Sequence, residues 1–342
     1  MMRGAMKAIA PGKLILSGEH AVVYGRPALA MAVNRHAQAF VLEDGADGTV
    51  SFDLADLTGE KGSFTLRALR EMHRRTRENY RAFLEGRLGI RDVLHKPIEL
   101  FEFAFVNVLD GLHLKLGPGV NIRLHSNIPI GCGMGSSAAT VMSVLRGLGH
   151  YFRIEFRPDW YYKYSLEAEN LQHGHASGLD TYVSMHGGCV RFRQGEARSL
   201  PLPRLPLYVV NTGTPASTTG EAVAAVAAAV GPKSRIWDEF ERTTNAFETA
   251  LSNADGPAFL SAVRTNHRLL RDIGVVPDRV AEFVAEIEKS GGAAKICGAG
   301  AVSGDAGGML LVAGRRPDPA LCAAYGCESL TIRPDPMGVR IV

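Results

Sequence analysis

Charge of one sign is nearly absent as a surplus: 38 Lys and Arg stand against 35 Asp and Glu, a net of +3 over 342 residues. Such a balance gives no electrostatic footprint for nucleic acid or an anionic membrane, so any anionic ligand must be met locally. Long hydrophobic runs are missing too. The longest, residues 222–230, has nine residues, whereas a bilayer-spanning helix takes about 20. Pro11, Lys13 and Glu19 break up the apolar stretch that an export signal would need, so none is expected. Cysteines are few and unpaired in spacing: Cys132, Cys189, Cys297, Cys322 and Cys327 are odd in number and form no C-x-x-C. That excludes a disulfide framework and a zinc ribbon, and points to reduced thiols in a cytoplasm. No internal repeat or heptad array is present.

What remains has ordinary globular composition, 46% hydrophobic and 21% charged, in a chain long enough for two domains at about 150 residues each. Residues 9–19 read as a short strand pair broken by a turn, and 27–35 as an apolar segment that suits strand or helix. Residues 66–91 keep helical apolar spacing with eight arginines on the other faces, which predicts a long surface helix with a solvated basic face. Val120, Ile122 and Leu124 alternate with polar residues as a half-buried strand does. Ala138, Val141, Met142, Leu145 and Leu148 then recur at helical spacing, with Gly149 as the expected stop. Three prolines in residues 200–206 predict a domain boundary. Beyond it come an apolar strand at 207–210, helices over 236–252 and 280–289, and a second glycine-rich stretch.

Between that strand and helix lies Pro129-Ile130-Gly131-Cys132-Gly133-Met134-Gly135-Ser136-Ser137-Ala138-Ala139. Alternating glycines let backbone N–H groups close around an anion, and the free amides of the following helix add to the pull on phosphate. Residues 133–138 also satisfy G-x-G-x-x-A, so a nicotinamide-dependent oxidoreductase competes. Glu155 and Asp159, however, lie among Arg153, Arg157 and Pro158, not at the end of a second strand as a dinucleotide site requires. No Gly-Lys-Ser/Thr closes the loop, and there is no G-x-S-x-G elbow, HRD or DFG. A phosphate loop without its own lysine needs a cation from elsewhere, and Lys13, flanked by Gly12 and Gly18, is a candidate. Glu169 and Asp180 suit a division between metal ligand and proton acceptor. A paired-carboxylate glycosidase would leave the loop unexplained. His173 and His175 lack a third nearby zinc ligand and read as hydrogen-bonding histidines.

Three segments together resemble the signatures of the GHMP kinase superfamily, spanning residues 7–314. Residues 13–28, Lys-Leu-Ile-Leu-Ser-Gly-Glu-His-Ala-Val-Val-Tyr-Gly-Arg-Pro-Ala, resemble the first motif as it stands in the members that phosphorylate mevalonate. Residues 129–139 resemble the superfamily phosphate loop. Lys295-Ile296-Cys297-Gly298-Ala299-Gly300 with Gly304, Gly307 and Gly308 resembles the third, glycine-rich motif, and Glu169 with Ser177-Gly178-Leu179-Asp180 the metal and base region. The resemblance implies an α+β fold of two domains, residues 1–205 of the ribosomal protein S5 domain 2-like type with the ATP site, and residues 206–342 ferredoxin-like. It implies ATP and Mg²⁺ as cofactors and mevalonate as a small-molecule substrate, phosphorylated on its 5-hydroxyl in isoprenoid biosynthesis, without nucleic-acid or membrane partners. A homodimer is left open.

By the same resemblance Asp180 is the base, and Lys13 polarises the hydroxyl and steadies Asp180. Pro129, Gly131, Gly133, Met134, Gly135, Ser136, Ser137 and Ala138 bind the nucleotide, and Ser137 and Glu169 hold Mg²⁺. Lys13, Glu19, His20, Asp180, Gly298 and Ala299 line the acceptor. The chain departs from the family pattern twice: the third motif continues Ala301-Val302-Ser303-Gly304-Asp305 in place of an unbroken glycine run, and Gly174-His175-Ala176-Ser177 stands for Gly-Asn-Pro-Ser. Phosphomevalonate kinase and galactokinase are the nearest alternatives. A binding-only pseudokinase is disfavoured because each catalytic position carries a competent residue.

Overall fold

The computed structural model describes residues 6–44 and 48–342. The first half of the chain contributes β1 (Met6–Ser17), β2 (Ala28–Asp44), β3 (Thr49–Leu54), β4 (Glu60–Thr65), α1 (Leu66–Leu84), α2 (Glu99–Gly111), β5 (Gly119–Ser126), α3 (Ser136–Tyr151), α4 (Pro158–His173), α5 (Leu179–His186), β6 (Cys189–Arg193) and β7 (Glu196–Leu200). The second half contributes β8 (Leu207–Asn211), α6 (Thr219–Val230), α7 (Ile236–Ser252), α8 (Gly256–Asp272), α9 (Asp278–Lys289), β9 (Ala293–Ile296), β10 (Met309–Ala313), α10 (Pro319–Ala324), β11 (Glu328–Thr331) and β12 (Arg340–Ile341). An eight-stranded sheet runs β12-β1-β2-β5-β3-β4, with the β6–β7 hairpin paired to the start of β2. A four-stranded sheet runs β11-β8-β10-β9. The architecture is the mixed α+β type that the resemblance implied.

Residues 201–206 carry the prolines and run without regular structure from the first sheet to the second. The tail then returns, and β12 pairs with β1 at Ala8 and Ile9. Helix α3 lies on β1 and β2, and α7 and α8 pack against β1, with α8 also reaching β9. The two sheets thus meet along the C-terminal end of β1, where the first motif begins. Among the described residues no helix is long and apolar enough to cross a membrane.

Local differences from the sequence reading have physical causes. Residues 9–19 do not turn back as a strand pair: β1 continues through Pro11-Gly12, where the register against β2 shifts as a bulge. The ambiguous 27–35 segment is strand, buried on both faces from Ala28 to Val33. The basic helix ends at Leu84, with Gly86 in positive φ behind it, and Arg91 lies in a separate short turn. Four of its arginines are taken by carboxylates, Arg70 by Asp110, Arg74 by Glu78, Arg75 by Glu99 and Arg77 by Glu167. Gly149 does not stop α3. It lies inside the helix because the Tyr161 hydroxyl fills the space a side chain would need, 1.7 Å from an ideal Cβ.

Candidate active site

The bulge in β1 seats the first motif against the phosphate loop. Lys13 N–H donates to the Met134 carbonyl at 2.9 Å, and a side chain at Gly12 would meet that same oxygen at 3.0 Å. The Lys13 side chain, 3% exposed, runs inward to place Nζ 3.2 Å from Asp180 Oδ1 and 3.2 Å from the Gly133 carbonyl. Asp180 stands in the first turn of α5 and is 34% exposed, open to a ligand. An ammonium placed between a carboxylate and a carbonyl has one N–H left to donate.

Gly131, Gly133 and Gly135 all take positive φ, and the last two are also closely packed. Gly133, at φ 85, lies under the third motif, with an ideal Cβ 2.4 Å from the Cys297 carbonyl oxygen. Gly135, at φ 67, turns the chain into α3, and a side chain there would press on Lys13 and Asp180. Met134 and Ala138 point their side chains into the core, while Pro129, Gly131, Ser136 and Ser137 are partly exposed or exposed. No side chain caps α3, so its first amides are free to meet an anion.

Ser137 Oγ donates to Glu169 Oε2 at 3.2 Å, joining the starts of α3 and the end of α4. Glu169 is 3% exposed, and its second oxygen, Oε1, is buried without a partner. Burial, reinforced by the nearby Asp180 charge, pushes the Glu169 carboxyl up to about 8. His173, one turn along α4, stands 3.6 Å from Glu169 Oε2, and burial lowers its imidazole below the ordinary range. An orphaned buried carboxylate oxygen beside a serine hydroxyl suits a hard divalent cation, which binds through one or two protein oxygens and completes its shell with phosphate and water.

The third motif meets the first motif and the loop at three of the residues expected to line the acceptor. His20 Nε2 lies 3.0 Å from the Ala299 carbonyl. Because a carbonyl only accepts, that nitrogen carries the hydrogen, and Nδ1 is left buried without a partner. Burial is the main influence holding His20 below the ordinary imidazole range, against the pull of the Ala299 bond. Gly298 stacks its backbone on Gly133, 3.1 Å from an ideal Cβ to the Gly133 Cα. The structure therefore brings together Lys13, Asp180, Ser137, Glu169, the loop, His20, Gly298 and Ala299.

Glu19 is placed differently from the other residues expected to line the acceptor. It is 1% exposed and forms an ion pair with Lys295, while its Oε2 accepts from Asn266 Nδ2 at 3.2 Å. Its carboxylate faces protein, beneath the site.

A profile of the GHMP kinases N terminal domain matches residues 102–188. The mevalonate kinase of Archaeoglobus fulgidus is 30% identical over 339 residues, covering 98% of this chain and 99% of its own. The chain belongs to the mevalonate kinase family. Solved structures agree on the fold: mevalonate kinase from Methanococcus jannaschii superposes with a TM-score of 0.80 at 23% identity, over 97% of this chain and 99% of that one. L. major mevalonate kinase in complex with R-mevalonate superposes with a TM-score of 0.65 at 21% identity, over 94% and 90%.

Within this member of the mevalonate kinase family, sequence reasoning missed a buried polar network. Ser17 Oγ donates to Asn266 Oδ1 at 2.8 Å and lies 2.8 Å from Thr244 Oγ1, and Lys295 Nζ donates to the Ile15 carbonyl at 3.0 Å as well as to Glu19. A signal for Lys295 existed: a lysine between Ala294 and Ile296 in an apolar strand requires a buried counter-charge. Nothing in the sequence marked Thr244 or Asn266. His173 reads from the sequence as a hydrogen-bonding histidine, without a sign that Glu169 is its neighbour, and among the described residues no group of three or more His, Cys, Asp or Glu is arranged to hold a metal.

Proposed function

We propose that this chain transfers the γ-phosphoryl group of ATP to the 5-hydroxyl of mevalonate. The observation that carries the reading is the Lys13–Asp180 pair, 3.2 Å apart at the lip of a glycine loop that leads into a helix start, in a chain of the mevalonate kinase family. Asp180 accepts the hydroxyl proton as the oxygen attacks, and Lys13 aims that carboxylate and donates to the reacting oxygens. The amides of residues 131–137 hold the triphosphate. Ser137 and Glu169 would hold Mg²⁺, which when bound would supply neutralising charge at the phosphates. His20, Gly298 and Ala299 line the acceptor, and Glu19 supports that wall from beneath through Lys295. The same reading takes residues 1–205 and 206–342 as the two domains, and the enzyme as cytoplasmic, without nucleic-acid or membrane partners.

Separate roles for metal and base give a first expected result. Ser137→Ala and Glu169→Gln should each raise the Mg²⁺ concentration for half-maximal rate about 10-fold, on the scale of one lost metal ligand or its support. Titration calorimetry with Mg²⁺·ATP and a Mg²⁺ titration of the rate check it. An unchanged Mg²⁺ requirement in both variants removes these residues from the metal site.

Acceptor choice is the second. Residues 18–24 and 173–182 contain no Lys or Arg. The cations that the first and third motifs carry are paired in the fold: Lys13 with Asp180, Lys295 with Glu19, and Arg26 with Asp238 and Glu241. An added phosphate on the acceptor would be left unpaired, with a heavy desolvation penalty. We expect kcat/KM for mevalonate to exceed that for phosphomevalonate by at least about 10²-fold, roughly 2.7 kcal/mol of differential transition-state stabilisation. A coupled assay over mevalonate, phosphomevalonate, homoserine and galactose tests the reading, and a preference for another acceptor replaces it.

A further inference from the structure

The metal ligand and the base sit on consecutive helices, α4 and α5, and the loop between them, residues 174–178, sets their separation. That loop begins on an unusual peptide. Gly174 adopts φ 79, ψ −66 and is buried, and a side chain on it would lie 2.8 Å from the Phe83 ring. Its N–H donates to the Asn170 carbonyl at 2.8 Å, and the Asn170 side chain accepts from Ala176 N–H at 2.8 Å. Both of those contacts come from α4 itself.

The external support comes from α1. Tyr80 Oη donates to the Gly174 carbonyl at 2.7 Å across 94 residues of sequence. Phe83, one turn on, stacks with Tyr80 at 5.9 Å between ring centroids and faces the His175 ring at 6.2 Å. Ile90 joins the same patch, which packs on Leu171 of α4. A hydroxyl held by a packed aromatic ring is a fixed donor, and the buried carbonyl it satisfies belongs to the peptide from which the loop turns.

We infer that Tyr80 is a positioning residue for phosphoryl transfer: its hydroxyl, through the Gly174 carbonyl, fixes the loop that spaces Glu169 from Asp180. This rests on the roles proposed above for Glu169 and Asp180. Reacting groups must be held to within about half an ångström, and such precision comes from the groups behind them. α1, which the sequence presents as a basic surface helix, therefore reaches the reaction through its aromatic face.

The test is Tyr80→Phe, which keeps the ring and removes one donor. Expected are a 3- to 10-fold loss in kcat with both KM values within twofold, and amide exchange at residues 175–178 at least 3-fold faster with the first two turns of α4 unchanged. Asn79→Ala is the control, since it removes the amide that bonds the carbonyls of Asp92 and Val93 from the same helix and should leave kcat and the loop exchange as they are. The inference is overturned if Tyr80→Phe leaves kcat and loop exchange at wild-type values, or if Asn79→Ala reproduces both changes. Hydrogen exchange is read without substrate, so it tests Tyr80's hold on the loop even if wild-type protein fails to phosphorylate mevalonate, a result that would count against the assigned reaction instead.

Discussion

Asp180→Asn is expected to lower kcat by about 10³-fold, within the range that a positioned general base contributes, while KM for ATP moves less than about threefold. Asn has nearly the shape of Asp, and its amide oxygen can still face Lys13 Nζ across 3.2 Å. What it lacks is the capacity to take the hydroxyl proton. Lys13 keeps its bond to the Gly133 carbonyl, so the loop should hold its course and nucleotide binding should persist. The loss should not respond to Mg²⁺, because Ser137 and Glu169 are untouched. A stopped-flow or coupled assay at low and at saturating Mg²⁺ decides the matter: if high Mg²⁺ restores Asp180→Asn as well as it restores Ser137→Ala, Asp180 belongs to the metal and the division of roles is wrong.

Much of this site was legible because its chemistry is written in local backbone requirements. A strand, three alternating glycines, two serines and a helical repeat leave few arrangements, and the chain runs as β5, loop and α3 there. Lys13 and Asp180 were each legible as residue types in a segment, but their meeting depends on β1 and α5 packing side by side, which no local pattern encodes. Glu19 shows the limit most clearly. A carboxylate two residues past Ser17 reads the same whether it faces a substrate or a lysine 276 residues away, and its orientation is decided by β9 arriving from the second sheet. Gly149 fails for a related reason. The rule that glycine ends helices describes an isolated helix, whereas here α4 supplies the Tyr161 ring that needs the empty space. Tyr80 belongs to the apolar spacing of residues 66–91, which gives no sign of where its hydroxyl goes.

Lys295→Met should produce the largest loss of stability. The Lys295 side chain is fully buried and Glu19 is 1% exposed, so the change removes the ammonium and leaves the Glu19 carboxylate in the interior with the Asn266 amide as its remaining partner. Breaking a buried pair from one side costs about 3–5 kcal/mol, far more than the pair itself is worth against an apolar replacement. For a chain of this size that corresponds to a fall in Tm of roughly 4–7 °C, measurable by thermal and urea unfolding. The double variant Glu19→Gln/Lys295→Met discards both charges, and should recover all but about 1–2 kcal/mol. Recovery of the fold need not restore function. The pair ties the β1 end that carries His20 to the strand that leads into Gly298 and Ala299, so the double variant should raise KM for the acceptor several-fold while KM for ATP holds. A single variant that loses less than about 1 kcal/mol would mean that water reaches Glu19, and the carboxylate would then return to the acceptor side where the family resemblance puts it.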